Sequence, residues 1–416
     1  MRRIQLISIL IASAFMFNPS SFAKDSADSN NAFGFKMLSA LKKDSRAANL
    51  FISPLSISQV MKMAMNGAAG KTLQQMGSVL QLDSNDLSTV NKQDQQLLAA
   101  ITTPNASFVQ MYKENGSGDP TLKLKIANSL WGNKNIQFAP EFTKACNTSY
   151  GAEVRSVDFG KPQTVTDINN WTSKQTAGKI PTIIQKLRET DLLVLINATY
   201  FKAPWEDKFQ KEETKPLPFH AIDGTSPKVP MMHRKARLGY QINDNFQAVR
   251  LPYADRDNAM YVLLPKEGKT VDSVLSGLND ASYKALSQKF DQKLGDLYLP
   301  KFKFDYSKKL NDGLTKLGMI DAFSAKDADF SKMIKSGPRP FVSSVIHKSY
   351  VDVNEEGTEA AAVTAMMMAG SGMPRPEQPF SMKVDRPFLF IIANETTNSV
   401  LFMGTVGDPT KASFED

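Results

Sequence analysis

Hydrophobic positions change their spacing along the chain, from a helical period at the start to a two-residue period in the middle. Apolar side chains recur every three to four residues within 31–48, which predicts a helix. A strand that begins at Asn49 leads through the Ser53-Pro54 turn into a second helix, which is predicted to end near Asn66. Further helices are predicted at 89–106, after Pro140, at 167–176, at 270–290 and at 311–317.

Most strands are predicted after residue 122. Residues 122–133 alternate between polar and apolar side chains, as in a strand with one buried face. Residues 191–205 form an almost continuous apolar run, which is typical of a strand buried on both faces. Other strands are predicted at 153–159, in five stretches between 216 and 265, and at 294–307. Early helices followed by many strands favour an α+β fold.

The segment 354–371 combines the pattern of a strand with the setting of a loop. From Thr358 onward, every second residue is uncharged and can face a sheet interior, whereas Glu359 belongs to the outward set. The inward set is Thr358, Ala360, Ala362, Thr364, Met366 and Met368. The sequence that follows, AGSGMPRPEQP, is rich in Gly and Pro and suits an exposed loop. This combination indicates a segment that can change its place in the fold.

The N-terminus has the composition of a secretory signal peptide. Two arginines precede an apolar run over 4–17, and the small residue Ala23 provides a cleavage site. A membrane anchor is the alternative, but the run is shorter than the ~20 residues that a spanning helix needs. We therefore expect residues 1–23 to be removed, with export to the periplasm or outside the cell. Residues 24–416 are interpreted as one domain without a membrane anchor.

Charge and cysteine content argue against two classes of protein, those that bind nucleic acid and those stabilised by disulfide bonds. The full chain carries a net charge of +8, which falls to +6 when the two arginines of residues 1–23 are removed. Its Lys and Arg side chains are scattered, so the sequence gives no signal for a nucleic-acid ligand. The single cysteine, Cys146, rules out an intramolecular disulfide framework, and we interpret it as a small buried hydrophobe.

Catalytic chemistry has little support in the sequence. The three histidines, His220, His233 and His347, have no convincing nucleophile partner by spacing, and no HExxH, GxSxG, Walker or CxxC motif occurs. A soft metal site is the alternative for the Met-Met-His run at 231–233, although core filler is favoured there. We therefore predict no enzyme activity, no cofactor and no metal.

Seven stretches of the chain carry a family resemblance. The most specific are HKSYVDVNEEGTEAAAVTA at 347–365 and DRPFLFIIANETTNSVLFMGTVGDPT at 385–410. The others lie at 49–58, 67–76, 169–180, 197–205 and 299–302. Together they resemble the serpins, the serine-protease inhibitors that work by trapping their target. The resemblance covers essentially the whole chain after residue 23. It implies three β-sheets, eight or nine helices and an exposed reactive-centre loop at about 357–379. The largest sheet is expected to have five strands and a gap for a sixth.

The resemblance also implies a mechanism. A protease cuts the loop and becomes acylated, and the freed arm then enters the gap as a new strand. The attached protease is dragged to the far pole and distorted, so that it cannot deacylate. This arm meets the demands of insertion, because its inward positions from Thr358 to Thr364 are small and uncharged. About a dozen new backbone hydrogen bonds at ~1 kcal/mol each give roughly 10–15 kcal/mol.

The implied cut bond is Ser371–Gly372, and the alternatives are Met368, Ala369 and Gly370. The bait before it suits elastase-, subtilisin- or, less well, chymotrypsin-like proteases. A trypsin-like target is not expected, because a proline follows the only arginine of the loop. The partner is therefore a serine protease, or alternatively a cysteine protease. No heparin site is expected, since the window 93–108, where some serpins carry a basic helix, contains no Lys or Arg. The protein is expected to be a monomer.

The resemblance assigns three groups of residues around the gap. The hinge, where the loop leaves the sheet, comprises Glu355, Glu356, Gly357, Thr358, Glu359, Ala360, Ala361 and Ala362. The shutter, a polar cluster that holds the sheet closed, comprises Ser53, Ser56, Asn197 and His347. The breach, at the entry point of the loop, comprises Trp205, Lys301 and Glu355. The alternative function is that of a non-inhibitory carrier or chaperone. Such serpins usually carry bulky or charged residues in the hinge, and none occurs at the inward-facing hinge positions of this chain.

Overall fold

The computed structural model describes residues 21–45, 48–84, 86–104, 106–114, 119–358, 378–411 and 413–414. These residues form ten α-helices, two 3-10 helices and eighteen strands. The helices are α1 Ser21–Asp44, α2 Pro54–Met65, α3 Gly70–Val79, α4 Leu87–Thr102, α5 Ala106–Glu114, α6 Pro140–Tyr150, α7 Pro162–Gln175, α8 Val271–Ser276, α9 Asp280–Ser287 and α10 Asn311–Lys316, with 3-10 turns at Lys211–Glu213 and Asp321–Phe323. The strands are β1 Asn49–Ile52, β2 Lys123–Asn133, β3 Gln137–Phe138, β4 Glu153–Val157, β5 Leu193–Pro204, β6 Lys215–Pro218, β7 Lys228–Ile242, β8 Phe246–Pro252, β9 Asn258–Pro265, β10 Asp291–Pro300, β11 Phe302–Lys309, β12 Ile334–Ser336, β13 Val342–Asn354, β14 Gly357–Thr358, β15 Phe380–Lys383, β16 Phe388–Asn394, β17 Ser399–Val406 and β18 Ser413–Phe414.

The largest sheet has nine strands. Its order is β1-β17-β16-β9-β8-β7-β10-β15, and β6 pairs with β7 beside this path. The sequence suggested two strands where the structure has the single strand β7, which is long enough to pair with β6, β8 and β10. β15 pairs in parallel with β10. There Phe380 lies over Gly295, where a Cβ atom would come within 2.2 Å of the ring, so the close approach requires glycine.

The second sheet has seven strands in the order β18-β11-β13-β14-β5-β2-β4. β14 and β18 contain two residues each, so five longer strands remain, β4, β2, β5, β13 and β11. These five correspond to the five-stranded sheet that the resemblance implied, although the nine-stranded sheet is the larger one. β18 pairs in parallel with β11 and covers part of the outer edge of this sheet.

A third sheet contains only β12 and β3, so the three sheets and the α+β class are confirmed. The described residues contain ten α-helices rather than the expected eight or nine. One reason is that the region 270–290 holds two helices, α8 and α9, which begin at separate capping boxes on Thr270 and Asn279. The predicted strand at 294–307 is likewise two strands, which belong to different sheets and meet at Lys301.

Helix α1 starts ten residues before the predicted helix at 31–48. Its first turns were missed because they bury polar side chains instead of apolar ones. Ser26 and Asn30 are both buried there. Ser26 donates to Asp94 Oδ1, and Asn30 Oδ1 accepts from Lys62 Nζ at 3.1 Å. The expected signal-peptide cleavage point after Ala23 lies in the first turn of α1, and residues 1–20 lie outside the described residues. No helix in the described ranges has the length and apolar character required to span a membrane.

One large cluster of buried apolar side chains joins the two main sheets and most of the helices. Phe51 of β1 stacks on Phe402 and Phe390 of the nine-stranded sheet, with ring centroids 5.1 and 5.5 Å away. Its edge meets Phe304 of the seven-stranded sheet at 6.3 Å. Aromatic contacts of this kind pack the two sheets face to face and hold β5 and β13 at a defined depth in the molecule.

A buried ion pair ties α1, α2 and α4 together. Lys62 Nζ lies 2.7 Å from Asp94 Oδ1, and both side chains are 1% exposed. Lys62 also donates to Asn30 Oδ1 at 3.1 Å, and Ser26 donates to the same Asp94 oxygen. A buried charge of this kind needs its partner, because an unpaired ion in the interior is strongly disfavoured.

The substitution Asp94→Ala leaves the Lys62 ammonium group buried without a counter-charge. We expect the free energy of unfolding, measured by urea denaturation, to fall by about 3–5 kcal/mol. Asp272→Ala is the matched control, because its exposed carboxylate lies 3.9 Å from Lys42 and such surface pairs contribute little. Equal effects of the two substitutions would contradict the prediction.

Candidate functional site

The central feature of the seven-stranded sheet is a seam between two parallel strands. β5 and β13 pair directly from Leu193 beside Val342 to Tyr200 beside Tyr350. Beyond Tyr200 the strands no longer pair with each other, and β14 stands between them, antiparallel to both. The two strands are therefore in direct contact along the seam. At one end, a two-residue wedge, β14, holds β5 apart from β13.

The wedge is made by Gly357 and Thr358 of the predicted hinge. Thr358 pairs with Ala203 of β5 and with Val353 of β13. Gly357 has a φ of +152°, and a Cβ atom there would lie 2.3 Å from Ala203 O and 2.7 Å from Pro204 Cα. Both the backbone conformation and the space therefore require glycine at this position.

The side chain of Thr358 forms a hydrogen bond with Tyr253, a residue that the sequence did not identify. Its Oγ1 lies 2.7 Å from the hydroxyl oxygen of Tyr253, and both residues are fully buried. The ring of Tyr253 stacks on Trp205, with a centroid distance of 4.7 Å and an interplanar angle of 9°. Trp205 of the predicted breach thus lies directly beside the hinge.

Glu355 and Lys301, the other predicted breach residues, form an ion pair. Lys301 Nζ lies 2.8 Å from Glu355 Oε2, and Thr214 Oγ1 donates to Oε1 at 2.8 Å. Trp205 Nε1 donates to Asn354 O at 2.9 Å, which fixes the end of β13. Burial raises the pKa of the Glu355 carboxyl, but hydrogen bonds from Lys301, from the Glu355 backbone and from Thr214 outweigh it, so the pKa lies below its ordinary value.

Glu356 is held from the other side of the turn. Its carboxylate lies 2.8 Å from Lys208 Nζ and 3.2 Å from Lys211 Nζ. Burial raises the pKa of Glu356, while the hydrogen bonds from these two lysines lower it to below its ordinary value. The backbone adds two bonds, from Trp205 N to Glu356 O and from Phe209 N to Glu355 O, both at 3.0 Å. The start of the hinge is therefore anchored by charges and by main-chain bonds.

The predicted shutter residues meet under the middle of the seam. Asn197 Oδ1 accepts hydrogen bonds from Ser56 Oγ and from His347 Nδ1, each at 2.6 Å. The Asn197 amide group donates to Ser56 O at 3.1 Å and to Asn128 Oδ1 at 2.6 Å. Ser53 accepts the backbone N–H of Ser56 at 3.3 Å, so it adjoins the cluster through that residue. The bond from His347 to Asn197 crosses the seam between β13 and β5.

His347 is fully buried and neutral. Burial lowers the pKa of its ring to about 3, from an ordinary value of 6.5, because the charged form is desolvated. The Asn197 amide oxygen can only accept, so Nδ1 of the neutral ring carries the proton. In the described part of the chain, Nε2 has no hydrogen-bond partner. This cluster therefore holds the seam closed through neutral hydrogen bonds rather than through an ion pair.

Several predicted site residues lie outside the described residues. These are Glu359, Ala360, Ala361 and Ala362 of the hinge and Met368, Ala369, Gly370, Ser371 and Gly372 around the predicted cut bond. The alternative metal site at 231–233 is not supported, because Met231 and Met232 are fully buried in the core. Within the described ranges, no group of three or more His, Cys, Asp or Glu side chains is arranged to hold a metal ion.

Two residues of the chain thus separate, at one end, two parallel strands that pair directly over the rest of the seam. The family model of the serpins, described as serine protease inhibitors, matches residues 28–409. The human leukocyte elastase inhibitor is 35% identical over 399 residues, which cover 92% of this chain and 99% of that protein. A serpin-like protein of Thermococcus kodakarensis is 35% identical over 381 residues, covering 91% of this chain and 84% of that one.

Solved structures agree with this match. The thermophilic serpin tengpin in its native state has a TM-score of 0.78 and 31% identity, with 94% of each chain covered. Human thyroxine-binding globulin, complexed with its ligand, has a TM-score of 0.82 and 27% identity, covering 94% of this chain and 100% of that one. The chain belongs to the serpin family, and its relatives support protease inhibition as its general activity.

Lowering the pH is expected to weaken the closed seam through His347. Below pH 6.5 the unfolded ring binds a proton while the folded ring stays neutral down to about pH 3, so stability falls as the pH drops. One proton corresponds to about 1.4 kcal/mol per pH unit. His347→Gln keeps an amide donor but cannot titrate, and it serves as the comparison. Urea denaturation between about pH 7 and pH 4 should show a steeper loss for the wild type, and parallel profiles would contradict this account.

Proposed function

We propose that this protein inhibits serine proteases as a suicide substrate. A protease cuts the reactive-centre loop, and the freed arm slides between β5 and β13 before the acyl-enzyme can hydrolyse. The observation that carries the proposal is β14, in which the first two residues of the arm already pair with both strands. A non-inhibitory carrier is not favoured, because the hinge of this chain fits the sheet interior.

The register of β14 supports insertion of the rest of the arm. In this register, each further residue of the arm moves one position back along β5 and along β13. Glu359 then falls between Lys202 and Asp352, which are both half-buried on the outward face. Ala360 falls beside Phe201, which is fully buried. The alternation in the sequence and the register of the wedge thus support the same inward set, with Glu359 facing outward between a lysine and an aspartate.

The same register brings Thr364 to the shutter, between Asn197 and His347. Insertion moves β5 and β13 from one strand spacing to two, from ~4.8 Å to roughly 9.6 Å. The hydrogen bond between His347 and Asn197 must therefore break. A threonine hydroxyl group can donate one bond and accept others, so Thr364 can replace the lost bond to both side chains. We infer that the shutter is satisfied in the closed and in the opened sheet.

The direction of the change follows from strand pairing. Insertion replaces one parallel interface by two antiparallel ones, and antiparallel pairs are slightly more stable per residue. The sheet gains about a dozen backbone hydrogen bonds, worth roughly 10–15 kcal/mol at ~1 kcal/mol each. The uncut protein is held away from this state, because an arm tethered at both ends cannot enter the seam.

The nature of the bait supports an elastase-like target. We propose Ser371–Gly372 as the cut bond, with Met368, Ala369 and Gly370 as neighbouring alternatives. One relative with 35% identity is named as an inhibitor of leukocyte elastase, which agrees with this small, unbranched bait. Subtilisin- and chymotrypsin-like enzymes and cysteine proteases are the other targets to test. We further infer an exported monomer, with residues 24–416 as a single domain.

The proposal is tested by mixing the protein with elastase-, subtilisin-, chymotrypsin- and trypsin-like proteases and a papain-like cysteine protease. We expect an SDS-resistant complex with at least one elastase- or subtilisin-like enzyme. Mass spectrometry of the released C-terminal fragment should place the cut within 368–371. The cut inhibitor should melt at a higher temperature than the intact protein. Cleavage by every protease without any stable complex, and without a rise in melting temperature, would refute the proposed function.

Thr358→Arg tests the hinge itself. Position 358 is fully buried between β5 and β13, so an arginine there cannot enter the sheet without burying an unpaired charge. We expect the variant to be cut as an ordinary substrate, with little covalent complex on SDS gels, while its fold stays intact by circular dichroism. Glu359→Arg is the matched control, because position 359 falls outward beside Asp352 and tolerates either charge. Unchanged complex formation by Thr358→Arg would contradict the hinge assignment.

A further inference from the structure

We propose that Tyr253 is a positioning residue for strand insertion. Its hydroxyl group binds that of Thr358, the second residue of the arm, and keeps this residue inside the sheet before a protease arrives. The effect of Tyr253 on protease trapping rests on the proposed function. The claim that Tyr253 holds the hinge in the sheet is tested without a protease. Tyr253 was not assigned to the hinge, the shutter or the breach. Its role depends on one contact, the hydrogen bond between its hydroxyl group and that of Thr358.

The position of the Tyr253 hydroxyl group is fixed by its surroundings. The residue directly follows β8, and its backbone forms an isolated antiparallel bridge with Trp205. Its ring stacks on Trp205 at 4.7 Å and meets the edge of Phe201 at 5.1 Å. The backbone N–H of Tyr253 donates to Asn258 O at 2.9 Å. Backbone and ring are therefore both held, and the hydroxyl group points to one place only, the side chain of Thr358.

The hydroxyl pair is isolated from solvent. Tyr253 and Thr358 are both fully buried, and their oxygens lie 2.7 Å apart. Burial raises the pKa of Tyr253, so the phenol stays neutral and able to donate a hydrogen bond. In the described part of the chain, the only hydrogen bond of either hydroxyl group is the one they share. Loss of one partner therefore leaves the other buried and unsatisfied.

A wedge of two residues needs such a bond. β14 contains only Gly357 and Thr358, and a glycine loses more conformational freedom on ordering than any other residue. At the near end, the ion pair between Glu355 and Lys301 anchors the turn outside the sheet. At the far end, Tyr253 supplies the side-chain bond inside the sheet. Without it, the wedge is held by main-chain pairing alone, and insertion after cleavage must begin from a released hinge.

The first measurement is hydrogen exchange of the intact protein, read by mass spectrometry on the peptide that contains residues 354–365. Tyr253→Phe removes the phenol oxygen, keeps the stacked ring and leaves the Thr358 hydroxyl group unsatisfied. The protected amides of this peptide are expected to exchange roughly 5–30-fold faster than in the wild type, the ratio that corresponds to a lost buried hydrogen bond. Thr358→Val should have a similar effect, because it leaves the Tyr253 hydroxyl group unsatisfied.

The double variant Tyr253→Phe, Thr358→Val separates the hydroxyl pair from simple packing. It removes both polar groups together and leaves an apolar contact of nearly the same shape, so exchange should return towards the wild-type rate. Tyr283→Phe is the matched control. It also removes a hydroxyl group from a fully buried tyrosine, but this group has no hydrogen-bond partner in the described ranges and lies on α9. It should leave the hinge peptide unchanged.

The second measurement is the number of inhibitor molecules consumed for each protease molecule trapped. The enzyme is the one that gives the most SDS-resistant complex with the wild type. Tyr253→Phe should raise this number, because slower insertion gives the acyl-enzyme time to hydrolyse. The double variant should bring the number back towards the wild-type value. Wild-type exchange in Tyr253→Phe, or a double variant as impaired as the single ones, would overturn the proposal. If the exchange results hold but no protease forms a complex, the contact is confirmed and the proposed function fails.

Discussion

The parallel pairing of β5 with β13 is the constraint on which the rest of this structure depends. Parallel strands pair slightly less well than antiparallel ones, and here they do so at the centre of a buried sheet. The His347–Asn197 hydrogen bond crosses this seam and holds it shut. The centre of the sheet is therefore held by the less stable kind of strand pairing. In the proposed function, the arm of the loop supplies the strand that replaces this pairing by two antiparallel ones.

The hinge explains how such a sheet can stay in the less stable arrangement. Glu355 and Glu356 are bound by lysines at the rim, while Thr358 is bound by Tyr253 inside. Between them Gly357 turns the chain at a φ of +152°, where no side chain fits. Ion pairs thus restrain the start of the segment 355–358 at the rim, and a neutral hydrogen bond restrains its end in the core. The wedge is therefore held by contacts at the rim and inside the sheet.

The sequence predicted the properties that are local to a segment. The two-residue period from Thr358 onward identified the inward set, and the wedge confirms its first member, which is buried. Helix α1 was only partly predicted, because the turns that contain Ser26 and Asn30 bury polar groups, and an apolar period cannot reveal them. The strand at 294–307 was read as one element, although the buried positions shift by one residue at Lys301, from Leu297 and Leu299 to Phe302 and Phe304, where the chain changes sheet.

Contacts between distant parts of the chain were accessible only through the family resemblance, or not at all. Ser56 and His347 lie 141 and 150 residues from Asn197 in sequence, so no spacing rule connects them. The resemblance supplied this cluster and the pair between Glu355 and Lys301. Tyr253 lies 105 residues from Thr358 and, at the end of an apolar strand, it resembles any other core aromatic residue. Its importance comes from the contact between its hydroxyl group and Thr358, which only the fold determines.

The length of β5 has a consequence of its own. The strand has 12 residues, and an arm in the register of β14 reaches its first residue, Leu193, with Met368. Ten steps of ~3.3 Å carry the arm about 33 Å down the sheet. An arm severed earlier would leave the lower end of the cleft unfilled, and residues beyond Met368 have no part of β5 to pair with. In the proposed insertion, the length of β5 therefore sets how many residues the arm needs before the cut bond.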